Sequence, residues 1–400
     1  MKAVIVGNGL AGTIAAKTLR ELDASVEIEV LAGEPYPYYP RPNLIDFLAG
    51  VLPYERLFAF PSSWSERQGI GVRLGMPVVR IDPAAGTVET RDGGTTAFDR
   101  LFLTCGGTSV VPQVRGSAKK GVFVLRTLDD ALAILEALKS RERVAILGGG
   151  LLGLEIARAL KIRGVDVAVT EYFDRLLPRH LDHAAAALLK AQVEQLGIGV
   201  RLGAAAEEIT GDGEAGGIRF QDGSSAEADL IVFAAGVRPD TSLAGEAGLE
   251  IRRGIVVDDT LRTSHPAVFA AGDVAEHNGR IYGIIPASFE QARAAAYNAL
   301  GLEKIYTGTV PSNTLKIVGI FVTSVGLVNP EAPGYETIAK MDETAGTYKK
   351  LVLKDGVIEG AIWMGTKKGA PEIARLAAAR KNVAAWKNDL LEDEFELGEL

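Results

Sequence analysis

Cysteine is nearly missing from this chain: one residue in 400, Cys105. A single thiol forms no intramolecular disulfide and builds no thiolate-rich metal site. Histidine is scarce as well, four in all, so a zinc or haem centre would need an unusual ligand set. His180 and His183 stand three apart in PRHLDHAAAALL with no third ligand nearby, and read as the solvent side of a helix start. Long apolar runs are absent: Leu230–Val237 is far shorter than the about 20 residues of a membrane span. There is no excess of base either, and a net charge of −8 argues against a nucleic-acid binder. A strand-like segment begins at Ala3, which leaves no room for a signal peptide, and the expected location is the cytoplasm. At 47% hydrophobic and 24% charged residues the chain is a folded one, and 400 residues call for two or three cores rather than one.

What the chain does have is a repeat. GIGVRLG occurs at 69–75 and again at 197–203. Before the first copy stands VIVGNGLAG (Val4–Gly12), and before the second VAILGGGLLG (Val144–Gly153). Each is a short apolar strand running into G-x-G-x-x-G: Gly7, Gly9, Gly12 and Gly148, Gly150, Gly153. In that spacing the first glycine permits a tight turn, the second lets the backbone approach a pyrophosphate, and the third lets helix pack on strand. The diphosphate then lies on the free N–H groups and positive end of the helix dipole. After each heptapeptide come a strand, an Asp-Gly turn (Asp92-Gly93, Asp222-Gly223) and an apolar strand ending at glycine (Gly106, Gly236). GIGVRLG is therefore expected to be the third, buried strand of a doubly wound unit present twice. The first copy is longer, 62 residues from Gly7 to Gly69 against 49 from Gly148 to Gly197, and the surplus lies in Pro35–Ser63.

Two dinucleotide sites in one chain suit a flavin and a nicotinamide, since hydride transfer needs both rings. In the second copy Glu171 ends the second strand, where a carboxylate binds a ribose 2′-hydroxyl and repels a 2′-phosphate, which favours NADH over NADPH. Arg175 and Arg179 lie close enough to keep NADPH admissible. The first copy has Leu31-Ala32-Gly33 at the matching place, and Glu34 is the nearest carboxylate. Val268–Ala275, VFAAGDVA, is a buried strand ending in Gly-Asp; Asp273 there suits the polyol of a flavin, or else caps a helix.

The order GNGLAG, EPYPYYPRPNL, TCGG, LRTLDDA, GGGLLGLEIA, AAGVRPD, VFAAGDVA resembles the FAD-dependent pyridine nucleotide–disulfide oxidoreductase superfamily, and within it the NADH:rubredoxin oxidoreductases and the flavin part of assimilatory nitrite reductases. The C-terminal stretch Tyr348–Gly365 resembles their third domain. The resemblance implies an α/β fold with two Rossmann-like domains and a smaller α+β C-terminal domain. It assigns 1–112 and 238–308 to FAD, 113–237 to NAD, and 309–400 to the third domain with an acidic tail at 388–400. It implies that Gly7, Gly9 and Gly12 meet the FAD diphosphate, and that Arg41, Pro42, Val79, Arg126, Asp273 and Lys316 stand beside the flavin. Glu155 matches the family carboxylate in the second glycine-loop helix. Gly236 joins the cofactor-binding positions. Thr104-Cys105-Gly106 departs from the family's Ala-Thr-Gly, a change of packing rather than a reactive thiol.

Superfamily members that reduce disulfides or peroxides carry cysteine facing the flavin, whereas Tyr36–Gly50 contains none. Without a thiolate there is no relay to a disulfide. The expected activity is therefore hydride transfer from NADH to FAD, with Glu155 and Lys316 at the reacting end, then single electrons to a small acidic carrier: rubredoxin, ferredoxin or flavodoxin. The competing readings are an NADH oxidase, peroxidase or disulfide reductase; a type II quinone reductase, for which no basic amphipathic anchor is present; and a flavin-bearing input subunit of a larger complex such as nitrite reductase. A monomer or a homodimer satisfies the chemistry. Residues 340–387 hold ten Lys/Arg, among them Lys349, Lys350, Lys354, Lys367 and Lys368, against five Asp/Glu. They are expected to form a basic docking face, with Lys349 and Lys350 exposed on it and the tail flexible and solvated.

Overall fold

Ala3, Val4, Ile5 and Val6 are all buried, and a strand apolar on both faces belongs in the middle of a parallel sheet covered on both sides. Lys2–Val6 holds that place. The computed structural model describes residues 1–309, 319–387, 389–392 and 395, and the main chain of 312–317. It divides into two compact units, Met1–Phe47 with Leu52–Ser109 and Val237–Thr309, and Leu48–Val51 with Val110–Gly236 and Val310–Leu400.

In the first unit five parallel strands lie in the order Val268–Ala270, Arg100–Leu103, Lys2–Val6, Glu27–Leu31, Ile70–Arg73. In the second the order is Val122–Val124, Leu230–Phe233, Arg143–Leu147, Asp166–Thr170, Gly199–Arg201, again parallel. These are one topology used twice, with a difference in origin: the outer strand beside the fourth comes late in the chain in the first unit and ahead of the glycine loop in the second. Each sheet carries a three-stranded antiparallel appendage, Val78–Asp82, Thr87–Thr90, Thr95–Ala97 and Ala206–Thr210, Gly217–Phe220, Ser225–Glu227, and each appendage has a bulge in its first strand.

The repeated heptapeptide is an edge strand in both sheets, not the fully buried one expected from sequence. Only its isoleucine is driven inward, Ile70 and Ile198. Its glycines explain the identity better. Gly69 and Gly75, like Gly197 and Gly203, have positive φ, which brackets each strand with two left-handed turns that L side chains resist. The arginine then reaches the aspartate of the following turn, Arg73 to Asp92 at 3.9 Å and Arg201 to Asp222 at 3.2 Å.

The second unit also contains a five-stranded antiparallel sheet, ordered Ser312–Ile317, Ile320–Gly326, Val357–Met364, Thr347–Lys354, Glu336–Asp342. Ala370–Ala378 covers one face, around Leu351, Leu353, Trp363, Ile373 and Leu376. Alternation along TYKKLVLK decides what the two lysines do, and it overturns the expectation that both are exposed. Lys349 points to the helix face with Leu351 and Leu353 and is buried. Lys350 points the other way, to a carboxylate on the nucleotide-binding side of the unit: its Nζ lies 2.9 Å from Asp182, which also accepts from Tyr348 Oη at 2.7 Å. Of the tail expected to be solvated, Leu390 and Leu391 are buried in the same core, while 388, 393, 394 and 396–400 lie outside the described residues.

Asp182 also caps the helix His183–Gln195 through Ala185 N–H. Burial pushes its carboxyl upward, but the bonds from Ala185, Lys350 and Tyr348 outweigh this and hold it below the ordinary carboxylate range. A carboxyl depressed on folding stabilises above its unfolded value and loses that contribution as pH falls through the folded one. Urea unfolding followed from pH 6 to pH 3 is thus expected to show a fall in midpoint that Asp182→Asn, already destabilised by about 1–3 kcal/mol, shows less of.

Candidate functional site

The two glycine loops are built alike. A Cβ on Gly7 would stand 2.5 Å from the Thr104 carbonyl oxygen, and one on Gly148 2.4 Å from that of Ala234. A Cβ on Gly12 would stand 2.0 Å from Gly7 O, and one on Gly153 1.9 Å from Gly148 O. Those four positions exclude any side chain because the protein's own backbone fills the space. The middle glycines differ: beside Gly9 and Gly150 there is nothing within 4 Å. Helices Leu10–Leu22 and Leu151–Ile162 begin there with no side-chain cap and no acid in the first turn. Two other helices of the chain are capped by side chains: Thr127 and Asp130 form a capping box on Leu128–Ala137, and Asp182 caps His183–Gln195. Uncapped N–H groups beside a vacant glycine face suit a diphosphate, which supplies the missing acceptors.

The carboxylate after each second strand is held firmly. Glu171 is 6% exposed; its Oε2 accepts from Gly149 N–H at 2.6 Å and its Oε1 from Phe173 N–H at 2.9 Å. It is no solvated strand end, but part of the second glycine loop. Arg175, considered above as a phosphate partner, is engaged with Asp174 at 2.9 Å and His183 at 3.3 Å. In the first unit Glu34 accepts from Tyr39 Oη and Arg41 Nη2, each at 2.5 Å, and Arg41 Nη1 also meets Tyr39 Oη. Glu34 and Arg41 thus act as one cluster, braced by the buried Tyr39.

The remaining candidates lie as follows. Asp273 follows Gly272, whose N–H donates to the buried Gln291 Oε1 at 2.9 Å and whose Cα side faces Ala11 of the glycine-loop helix. Asp273 is thereby set near that loop within the first unit. Pro42 leads the short helix Asn43–Ala49. Val79, 41% exposed, is the extra residue of the bulge between Val78 and Arg80, a device that re-aims a side chain. Arg126 gives its N–H to Asp130 just ahead of Leu128–Ala137. Glu155 lies on Leu151–Ile162, paired with Arg158 at 3.1 Å. Gly236 has positive φ and open space beside it. Lys316 falls on Ser312–Ile317, with its side chain outside the described residues. Sequence reasoning missed Thr104 as a brace: its hydroxyl lies 2.9 Å from Val6 O and 3.1 Å from Gly7 O, fixing the turn of the first loop. Next to it stands Cys105, the one cysteine. Burial, with the negative charge of Asp240, pushes its thiol up to about 12.

Residues 1–299 match the family model described as pyridine nucleotide-disulphide oxidoreductase. The chain belongs to that family. Residues 311–381 match the rubredoxin NAD+ reductase C-terminal domain, so this oxidoreductase combines the family's flavin-dependent α/β fold with a small third domain. It is 34% identical to the assimilatory nitrate reductase electron transfer subunit of Bacillus subtilis (strain 168) over 98% of this chain and 51% of that one. The chain thus spans about half the length of that relative. It is 32% identical to the biphenyl dioxygenase system ferredoxin–NAD(+) reductase component of Paraburkholderia xenovorans (strain LB400), over 95% of this chain and 94% of that one. Among solved structures, NADH:rubredoxin oxidoreductase from Clostridium acetobutylicum superposes with a TM-score of 0.82 at 26% identity, over 95% of this oxidoreductase and 96% of that chain. Among the described residues no helix is long and apolar enough to cross a membrane.

Proposed function

We propose that this oxidoreductase takes hydride from NADH into FAD and passes electrons singly to a small iron protein such as a rubredoxin or ferredoxin, in the cytoplasm, as a monomer or homodimer. The observation that carries this reading is the pair of equivalent glycine cradles in a chain with no cysteine between Tyr36 and Gly50. FAD, when bound, supplies two-electron acceptance and one-electron release. The protein's part is to bind and orient. Residues 1–112 and 238–308 hold FAD, with the N–H groups behind Gly7, Gly9 and Gly12 on its diphosphate, Glu34 on the ribose, Asp273 on the polyol, and Arg41, Pro42 and Val79 around the ring. Residues 113–237 hold NADH through Gly148, Gly150, Gly153 and Glu171, with Glu155 and Gly236 toward the nicotinamide. The engagement of Arg175 with Asp174 and His183 supports NADH over NADPH.

With Lys349 and Lys350 consumed inside the fold, the docking face belongs elsewhere. Arg293 and Lys304 line a cavity of about 320 Å³ with Phe289, Ile305 and Tyr306, and among the described residues neither is ion-paired. Ile285, Phe289, Leu302 and Ile305 are exposed around them. Glu290 lines the same cavity, and Arg293 lies over the Phe289 ring and Lys304 over that of Tyr297; two exposed cations beside an apolar patch suit an acidic carrier. Arg293→Glu with Lys304→Glu is expected to raise KM for the carrier roughly tenfold at low salt, with the effect fading at high salt, while NADH-driven dye reduction stays unchanged.

The relation to an electron transfer subunit of twice the length supports a second reading, an electron-input unit of a larger assembly. Stopped-flow mixing separates the two. Fast flavin reduction by NADH followed by fast transfer to an added carrier supports the reductase; slow flavin reduction in the isolated chain supports the assembly subunit.

A further inference from the structure

Lys340 and Lys349 face each other directly across neighbouring antiparallel strands, and Trp363 faces Lys349 on the strand beyond. Like charges at opposed positions repel, and burying Lys349 to 6% exposure adds a desolvation cost. Such a row persists only where acceptors of suitable shape lie on it. Here they come from residues 391 and 392. Leu391 O accepts from Lys349 Nζ at 2.9 Å, and Glu392 Oε2 pairs with Lys340 Nζ at 2.5 Å. The Lys349 ammonium stands 5.3 Å from the centre of the Trp363 ring. Leu390 and Leu391 are buried among Trp363, Leu351 and Leu353, with Phe395 packed against the same cluster. One turn carries these groups, Leu390 N–H bonding Trp386 O and Glu392 N–H bonding Asp389 O.

We propose that the Lys340–Lys349–Trp363 row is a binding site for an acidic, leucine-bearing peptide segment, filled in cis by residues 389–392 and open to release. Its chemistry specifies the ligand: an ammonium for a main-chain carbonyl, a second ammonium for a carboxylate, and an apolar floor for two leucines. Release is feasible because, among the described residues, no strand pairing holds the segment. Glu336–Asp342 is the edge of its sheet, and the outer ion pair, Lys340–Glu392, is half exposed on both sides. While the segment is seated, this basic face is closed to acidic partners, which places carrier docking on other cations.

The test uses the chain ended after Lys387 and a synthetic peptide of residues 388–400, titrated by fluorescence anisotropy. The shortened chain is expected to bind the peptide one to one, about tenfold more weakly as salt is raised and about tenfold more weakly again with Lys340→Glu. A peptide carrying Glu392→Lys restores binding to the Lys340→Glu chain. The intact chain does not bind the peptide, because its site is filled. Absence of binding by a shortened chain that is still folded by circular dichroism, or equal binding by the intact chain, overturns the proposal. Where shortening unfolds the domain, the full chain with Glu392→Lys serves instead. Amide exchange across 389–392 is then expected to accelerate about tenfold and to slow again on adding Lys340→Glu; unchanged exchange overturns the proposal.

Discussion

Gly153→Val yields a yellow protein that NADH no longer bleaches, and Gly12→Val yields a colourless one. The two outcomes separate because the same collision falls in different units. At either position the new Cβ would lie about 2 Å from a backbone carbonyl, Gly7 O or Gly148 O, and a carbonyl within a tight loop cannot move aside as a flexible side chain does. The loop must open, and with it go the N–H groups that meet the diphosphate. Overpacking of this kind costs on the order of 3 kcal/mol, roughly a hundredfold in cofactor affinity. Gly12→Val spends that loss on the flavin and Gly153→Val on the nicotinamide nucleotide. Visible absorbance of the purified variants, and its response to anaerobic NADH, reads both. The reverse assignment, a colourless Gly153→Val beside a yellow Gly12→Val, would exchange the two sites.

Glu171→Gln is expected to raise KM for NADH by roughly ten- to a hundredfold, the worth of a charge-assisted hydrogen bond of about 1.5–3 kcal/mol, with little change in kcat at saturation. Both carboxylate oxygens accept backbone N–H groups, from Gly149 and Phe173, whereas an amide offers one acceptor for the two. One donor is left facing an NH2 group, and the glycine loop loses its brace. Losing the negative charge also removes the repulsion of a 2′-phosphate, so the NADPH to NADH ratio of kcat/KM rises. Steady-state kinetics with both nucleotides and a dye acceptor check each part. A variant with unaltered KM and unaltered preference would take Glu171 out of the nucleotide site.

Much of this was legible in the sequence because glycine spacing is a backbone constraint that no side-chain context disguises. Gly7, Gly12, Gly148 and Gly153 stand where any Cβ strikes main chain, so the pattern reports geometry directly. The heptapeptide was legible as a repeat but not as an edge, since pairing partners decide burial and IGVR alternates too weakly to show that only Ile70 and Ile198 turn inward. The lysines of TYKKLVLK misled for a different reason. Composition registers their charge, whereas a period of two sends Lys349 under the C-terminal segment and Lys350 to Asp182, 168 positions away. Glu34 needed Tyr39 and Arg41 to become a defined cluster, and three residues spread over a proline-rich segment carry no periodic signal.

The most direct measurement is an anaerobic titration of Cys105→Ala protein with NADH, followed by addition of a rubredoxin. Complete bleaching of the bound flavin at one NADH per chain, then recovery of its absorbance as two equivalents of rubredoxin iron are reduced, is the predicted result. A flavin that stays oxidised in the absence of that sulfur, though still bound, would contradict the account.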